Sequence, residues 1–264
     1  MDHQDDLETN ARLYEPHKYL NHLPDDIKAE LYSDPEILIY FDRDLGVSNL
    51  LVHLPLKTPP YISRFAEAMD NTIVIAIDTA LRTNGTTTAS FGVFFGNSSP
   101  YNMNGLVPED LPQTSQSAQL YAFKAALDVF FNTLHSSPEF KNLDTVVIMT
   151  DSPYLRDSLT KDIWKWESNG YMTARKTPVA HSDRLRELHE LMKSLEAEKH
   201  IGVGFWLVDR QYNEGADRLA NEALGPEGVQ VRGAKKRRRP KKSSSSGNGN
   251  GSAGGSVSGG QELS

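Results

Sequence analysis

The chain has no cysteine, which excludes structural disulfides and thiolate metal sites and suits a reducing compartment. It also lacks any apolar run approaching the length that crosses a bilayer. Its first eight residues are acidic and carry no apolar stretch, so no secretory leader is expected. A soluble protein without a membrane partner is the resulting expectation. Basic residues are scarce over most of the length. The run KKRRRPKK, from Lys235 to Lys242, holds seven of the 28 Lys and Arg, and Glu262 is the only one of the 35 Asp and Glu beyond it. Residues 1–234 therefore carry 21 basic against 34 acidic side chains, a net charge of −13. Such a body offers no basic footprint for tight, nonspecific phosphate binding.

What is present is enough for one sizeable domain with extensions: 264 residues, 38% of them apolar, an ordinary share for a globular chain. The C-terminal stretch SSSSGNGNGSAGGSVSGG, residues 243–260, is too poor in large apolar groups to offset its own chain entropy, so disorder is expected. The basic run before it resembles a one-part nuclear import signal. That reading implies an import receptor and a nuclear location; the plainer alternative is a solvated arm that sticks weakly to nucleic acid, on a cytoplasmic protein. At the other end, residues 1–71 read as a packing extension without visible chemistry. LPDDIKAELY predicts a short helix with Pro24 in its first turn. EILIYFD and NLLVHL read as short strands, and ISRFAEAM as a helical turn.

From residue 72 the pattern sharpens. TIVIAID is apolar without alternation, as in a strand buried on both faces. SFGVFFG and YNMNGL follow as two further strands. Leu120, Phe123, Leu127, Phe130 or Phe131, and Leu134 recur at helical spacing, with Thr114 or Ser115 able to cap the start. TVVIMTD is another buried strand, followed by Ser152 and Pro153 as cap and first helical residue. SDRLRELHELMKSLEAE is a long amphipathic helix, IGVGFWLV a last strand, and NEGADRLANEAL a last helix with Asn213 at its cap. Three strands, helix, strand, helices, strand, helix make an α/β fold: a five-stranded mixed sheet flanked by helices. Residues 72–225 form this domain, and 226–264 the basic and Gly/Ser-rich tail. His181, His189 and His200 are expected at the surface.

Three aspartates stand out. Asp78 follows five apolar residues, Asp151 ends a second buried strand, and Asp217 lies in the first turn of the last helix. Each alone has an ordinary explanation: an internal Lys or Arg for Asp78, a helix entry for Asp151, the positive helix end for Asp217. Together they form one potential site. Clustered carboxylates repel each other unless a cation intervenes, and oxygen-only ligands suit a hard ion such as Mg²⁺. Two such ions can clamp a displacement at phosphorus.

These segments resemble type 1 ribonuclease H. IDTALRTNG is similar to the family's first-strand motif through Asp78, Ala80, Asn84 and Gly85, while Thr79 and Leu81 depart from it. TSQSAQLYAFKAAL, TDSPYL, WKWESNGY and NEGADRLANEAL resemble the later motifs in the right order. The gapped FFGNSSPYN stretch and the long leader are most like fungal members. The resemblance implies a ribonuclease H-like fold and cleavage of the RNA strand of RNA–DNA hybrids by four carboxylates with two divalent ions, Mg²⁺ or Mn²⁺. It carries metal-binding roles to Asp78, Asp151 and Asp217, and substrate contacts to Asn84, Gly85, Ser115, Gln116 and Asn213. The fourth catalytic position, Glu in the family, is Gln119 here. The loss of that charge implies slow or absent turnover, because even an indirect metal partner is worth about 10–100-fold in affinity or activity. Ser115 stands where the family has Asn, which weakens reading of the 2′-hydroxyl that separates RNA from DNA. Two expectations follow: an impaired hybrid ribonuclease, or a non-catalytic module that binds hybrid, RNA or a protein partner.

Overall fold

A computed structural model describes residues 12–16, 34–53 and 66–226. In chain order the strands are β1 (Ile39–Asp42), β2 (Val47–His53), β3 (Ala66–Ala68), β4 (Thr72–Asn84), β5 (Thr86–Phe94), β6 (Met103–Leu106), β7 (Thr145–Thr150) and β8 (Gly202–Leu207). The helices are α1 (Ser115–Val129), α2 (Pro153–Asp157), α3 (Ile163–Ser168), α4 (Ser182–Ser194) and α5 (Glu214–Ala223). The helix predicted over LPDDIKAELY and the C-terminal tail lie outside the described residues.

β4 organises the sheet. Its second half pairs antiparallel with β5, from Ala76 opposite Phe94 to Asn84 opposite Thr86. Its first half pairs parallel with β7, from Thr72 opposite Thr145 to Ala76 opposite Met149. β6 lies antiparallel beyond β5, and β8 parallel beyond β7. These are the five expected strands and the expected mixed sheet.

The sheet is nonetheless larger, with eight strands. β1 and β2 form a hairpin, and β2 meets β4 at Ser48 and Val74. ISRFAEAM does not make the expected helical turn where it is described: Ala66–Ala68 pairs with β2 as β3. The expected boundary at residue 71 therefore does not divide the sheet. Residues 12–14 also run beside β8, with Tyr14 N–H donating to Phe205 C=O at 3.0 Å and Phe205 N–H to Arg12 C=O at 2.7 Å. That pairing covers backbone groups that an edge strand would otherwise leave open.

Strand alternation divides the interior into two cores. Ile73, Ile75 and Ile77 join Leu120, Phe123 and Leu127 of α1 and Leu185, Leu188 and Met192 of α4. Val74 and Ala76 point the other way, to Val147, Met149 and Trp206, and are covered by Leu38, Leu50 and Ala216. Helices α1 and α4 thus cover one face, while the leader hairpin and α5 cover the other. Fully burying each large aliphatic or aromatic side chain contributes about 1.5–3 kcal/mol. Thr114 caps α1 by accepting from Ser117 N–H at 3.2 Å, and Ser152 caps α2 by accepting from Leu155 N–H at 3.1 Å. Among the described residues no helix is long and apolar enough to cross a membrane.

His189 corrects the expectation of a surface residue, because it is fully buried. Arg12 is only 1% exposed. Its guanidinium forms a two-pronged ion pair with Glu196 at 2.7 and 2.8 Å and lies 4.7 Å from the centre of the Trp164 ring. A guanidinium can only donate, so Nδ1 of His189, 2.8 Å from Arg12 Nη1, is the acceptor. Nε2 then carries the hydrogen and faces Glu167 at 3.1 Å, which makes the ring neutral. His181 is partly buried at the start of α4, and His200 is exposed.

Candidate active site

Strand register brings Asp78 and Asp151 to one level. The last parallel pair is Ala76 and Met149, and each aspartate lies two residues beyond its member of that pair. Alternation puts Asp78 on the face shared by Ala76, Met149 and α5. Asp78 is buried, and its Oδ1 accepts from Thr79 N–H at 2.6 Å. Asp151 is half-buried where β7 ends.

Close backbone packing brings α5 to the same place. Gly92 is the partner of Asp78 across β4 and β5. A Cβ on Gly92 would lie 2.3 Å from Ala216 C=O and 2.7 Å from Ala220 N, so only glycine admits the helix. Asn213, at the start of α5, donates from Nδ2 to Ile77 C=O at 3.0 Å. It occupies the cap position, but its side chain makes no capping bond; burial turns it inward to β4. Asp217 follows Ala216. Its Oδ1 is ion-paired with Arg210, and its Oδ2 accepts from Asn221 Nδ2 at 2.9 Å.

Gln119 comes from α1, on the opposite face. Ser152, next to Asp151, donates its hydroxyl to Gln119 Oε1 at 2.6 Å while accepting from Leu155 N–H. This ties α1 to the end of β7 and uses the amide oxygen. The other expected substrate contacts stand further out. Ser115 and Gln116 are exposed in the first turn of α1. Asn84 and Gly85 lie at the exposed tip of the β4–β5 hairpin, six residues along the strand from Asp78, which is roughly 20 Å at strand rise. Gly85 takes φ +79° there, which makes the tight turn.

The oxygen donors of Asp78, Asp151 and Asp217 are of the type that hard divalent ions take. Their arrangement is not a ready ion site. Among the described residues no three His, Cys, Asp or Glu side chains are placed to hold a metal ion. Gln119 supplies no charge, and the Asp217 carboxylate is engaged by Arg210. Arg210 is the residue whose pairing sequence reasoning missed. Its spacing of seven from Asp217 across a loop and a helix start follows no local periodicity.

The fold and the convergence of strand ends and α5 define a ribonuclease H-like domain. Residues 70–225 match the model of the RNase H family, and the chain belongs to that family. It is 28% identical to ribonuclease H1 of Rattus norvegicus over 157 residues, covering 58% of this chain and 50% of the rat protein. It is 32% identical to ribonuclease H of Treponema pallidum over 148 residues, covering 50% of this chain and 86% of the relative. The chain thus spans only half the length of the rat protein. The structure of LC11-RNase H1 in complex with an RNA/DNA hybrid aligns with a TM-score of 0.39 at 17% identity, covering 57% of this chain and 95% of that one.

Proposed function

We propose that the domain binds RNA–DNA hybrids and hydrolyses the RNA strand slowly, with Mg²⁺ as the supporting ion and Mn²⁺ as its substitute. Membership in the ribonuclease H family and the shared level of Asp78 and Asp151 support the reaction class. The observation that carries the impairment is Gln119, a neutral amide whose oxygen is held by Ser152. A carboxylate there would add the charge that two divalent ions need. Asp78, Asp151 and Asp217 are the proposed metal-binding and catalytic residues. Asn84, Gly85, Ser115, Gln116 and Asn213 are the proposed substrate-binding set.

A second reading is favoured by the ion pair of Arg210 with Asp217 and the absence of a three-carboxylate metal group among the described residues. In it the domain is a binding module without turnover. One experiment separates the two: wild type and Gln119→Glu are incubated with labelled hybrid and Mg²⁺. On the first reading, restoring Glu raises cleavage at least about tenfold, equal to about 1.4 kcal/mol of barrier. Equal and brisk rates would remove the case for a damaged site, and no cleavage by either protein with retained hybrid binding would establish the second reading.

The run from Lys235 to Lys242 is proposed to bind an import receptor and give a nuclear location. A fluorescent fusion lacking these residues is expected to lose nuclear enrichment; an unchanged distribution would refute this.

A further inference from the structure

A cavity of about 890 Å³ opens between the leader hairpin and the start of α5. Its walls come from two sources: Phe41 of β1, which precedes the family-matched residues, and Phe94, Tyr212 and Arg218 within them. The three rings are half-buried. Two of them are held in place by glycines. A Cβ on Gly96 would lie 2.1 Å from the Phe41 ring, and one on Gly215 would lie 2.7 Å from that of Phe94.

A second opening of about 520 Å³ adjoins it through Phe41 and Asn97 and reaches Arg43. Arg43 is exposed and forms no ion pair with another described residue. Asp217 also lines the larger cavity. Shared lining residues thus connect Asp217 of the candidate active site, through the aromatic rings, with the Arg43 guanidinium.

The ligand that suits this lining has flat rings to stack on aromatic side chains and a phosphate to meet Arg43. Single-stranded nucleic acid has both, and stacking on aromatic platforms beside arginines is how such strands are held. Glu36 and Glu214 also line the cavity and repel phosphates there, so the rings and Arg43 have to carry the affinity.

We infer that this cavity, built by the leader hairpin and α5, takes a single-stranded extension that continues from a hybrid bound at the candidate active site. The inference rests on the proposed hybrid binding for its location. It gives the leader a role in choosing hybrids with unpaired flanks over blunt ones.

The test measures binding of labelled nucleic acids by anisotropy at low salt with EDTA, using the full chain. A blunt RNA–DNA hybrid is compared with hybrids extended by a short single strand at each strand end in turn. At least one extended hybrid is expected to bind about fivefold tighter or more, the value of one stacked base. Arg43→Glu and Phe41→Leu, which keeps an apolar contact on Gly96 but removes the ring, are each expected to bring that affinity down to the blunt level. Equal affinity for blunt and every extended hybrid overturns the inference, as it would if a protein segment were the true occupant. So does an Arg43→Glu variant that weakens blunt and extended hybrids in the same proportion. Binding of an isolated strand, sensitive to both variants, without binding of blunt hybrid would leave the cavity's role intact and sink the hybrid reading instead.

Discussion

Arg12 and His189 stand 177 residues apart and meet at 2.8 Å in the interior. The contact joins the leader to α4, and it works only while the imidazole is neutral. Burial, countered in part by the hydrogen bond with Glu167 and reinforced by the Arg12 charge, pushes the His189 pKa below its ordinary value of 6.5.

The unfolded chain takes up a proton on His189 near pH 6.5, whereas the folded chain resists it. The stabilisation is complete above that pH and is lost as pH falls toward the depressed folded value. Glu167 is also depressed, chiefly by its hydrogen bond with Lys193, but its contribution fades only below its ordinary value of 4.5. Urea denaturation between pH 7.5 and about 5 is expected to show falling stability, and His189→Gln is expected to flatten that slope. An unchanged slope in the variant would contradict the assignment.

Arg12→Ala should destabilise the domain by about 2 kcal/mol or more, because it removes charge-assisted hydrogen bonds and packing on Trp164 together. Equilibrium unfolding measures this directly. Hydrogen exchange at Phe205 N–H, which donates to Arg12 C=O, is expected to rise in the same variant.

Gly92→Ala is expected to cost about 1–3 kcal/mol, the usual range for overpacking. The added Cβ meets backbone at 2.3 and 2.7 Å, and backbone cannot turn aside as a side chain can. The helix must lift from β5, and Asp217 moves away from Asp78 with it. Calorimetric unfolding tests the first effect, and hybrid cleavage, in a Gln119→Glu background that raises the signal, tests the second.

Arg210→Ala should scarcely change stability, by less than about 1 kcal/mol, since the ion pair is partly exposed. It is expected to strengthen uptake of Mg²⁺ or Mn²⁺, because the Asp217 carboxylate is no longer neutralised. Titration calorimetry with each ion reads this. Weaker uptake in the variant would show that Arg210 supports the carboxylate instead of competing for it.

Ser152→Ala removes the α2 cap and the tether of Gln119 at once. Loss of a serine cap costs about 1 kcal/mol. Combined with Gln119→Glu, the two changes are expected to be non-additive, because the side chains are in direct contact. A double-mutant cycle on unfolding free energy checks the coupling.

Local pattern carried much of this protein into view. The unbroken apolar run before Asp78, the helical spacing of Leu120, Phe123 and Leu127, and the Ser152–Pro153 entry each encode their element within a few residues. Periodicity and capping act over one or two turns or one strand, so they are legible without coordinates. The proposed site residues Asp78, Gln119, Asp151 and Asp217 are read from the family motifs, which are local as well. Tertiary structure alone decided the rest: the leader strands joined the sheet, His189 went inside because Arg12 arrived from the far N-terminal side to bond it, and Arg210 came to lie on Asp217. These outcomes depend on which surfaces remain uncovered once the sheet has formed. A guanidinium is buried only where carboxylate, imidazole and aromatic ring converge from separate elements, and no short stretch of chain contains that convergence.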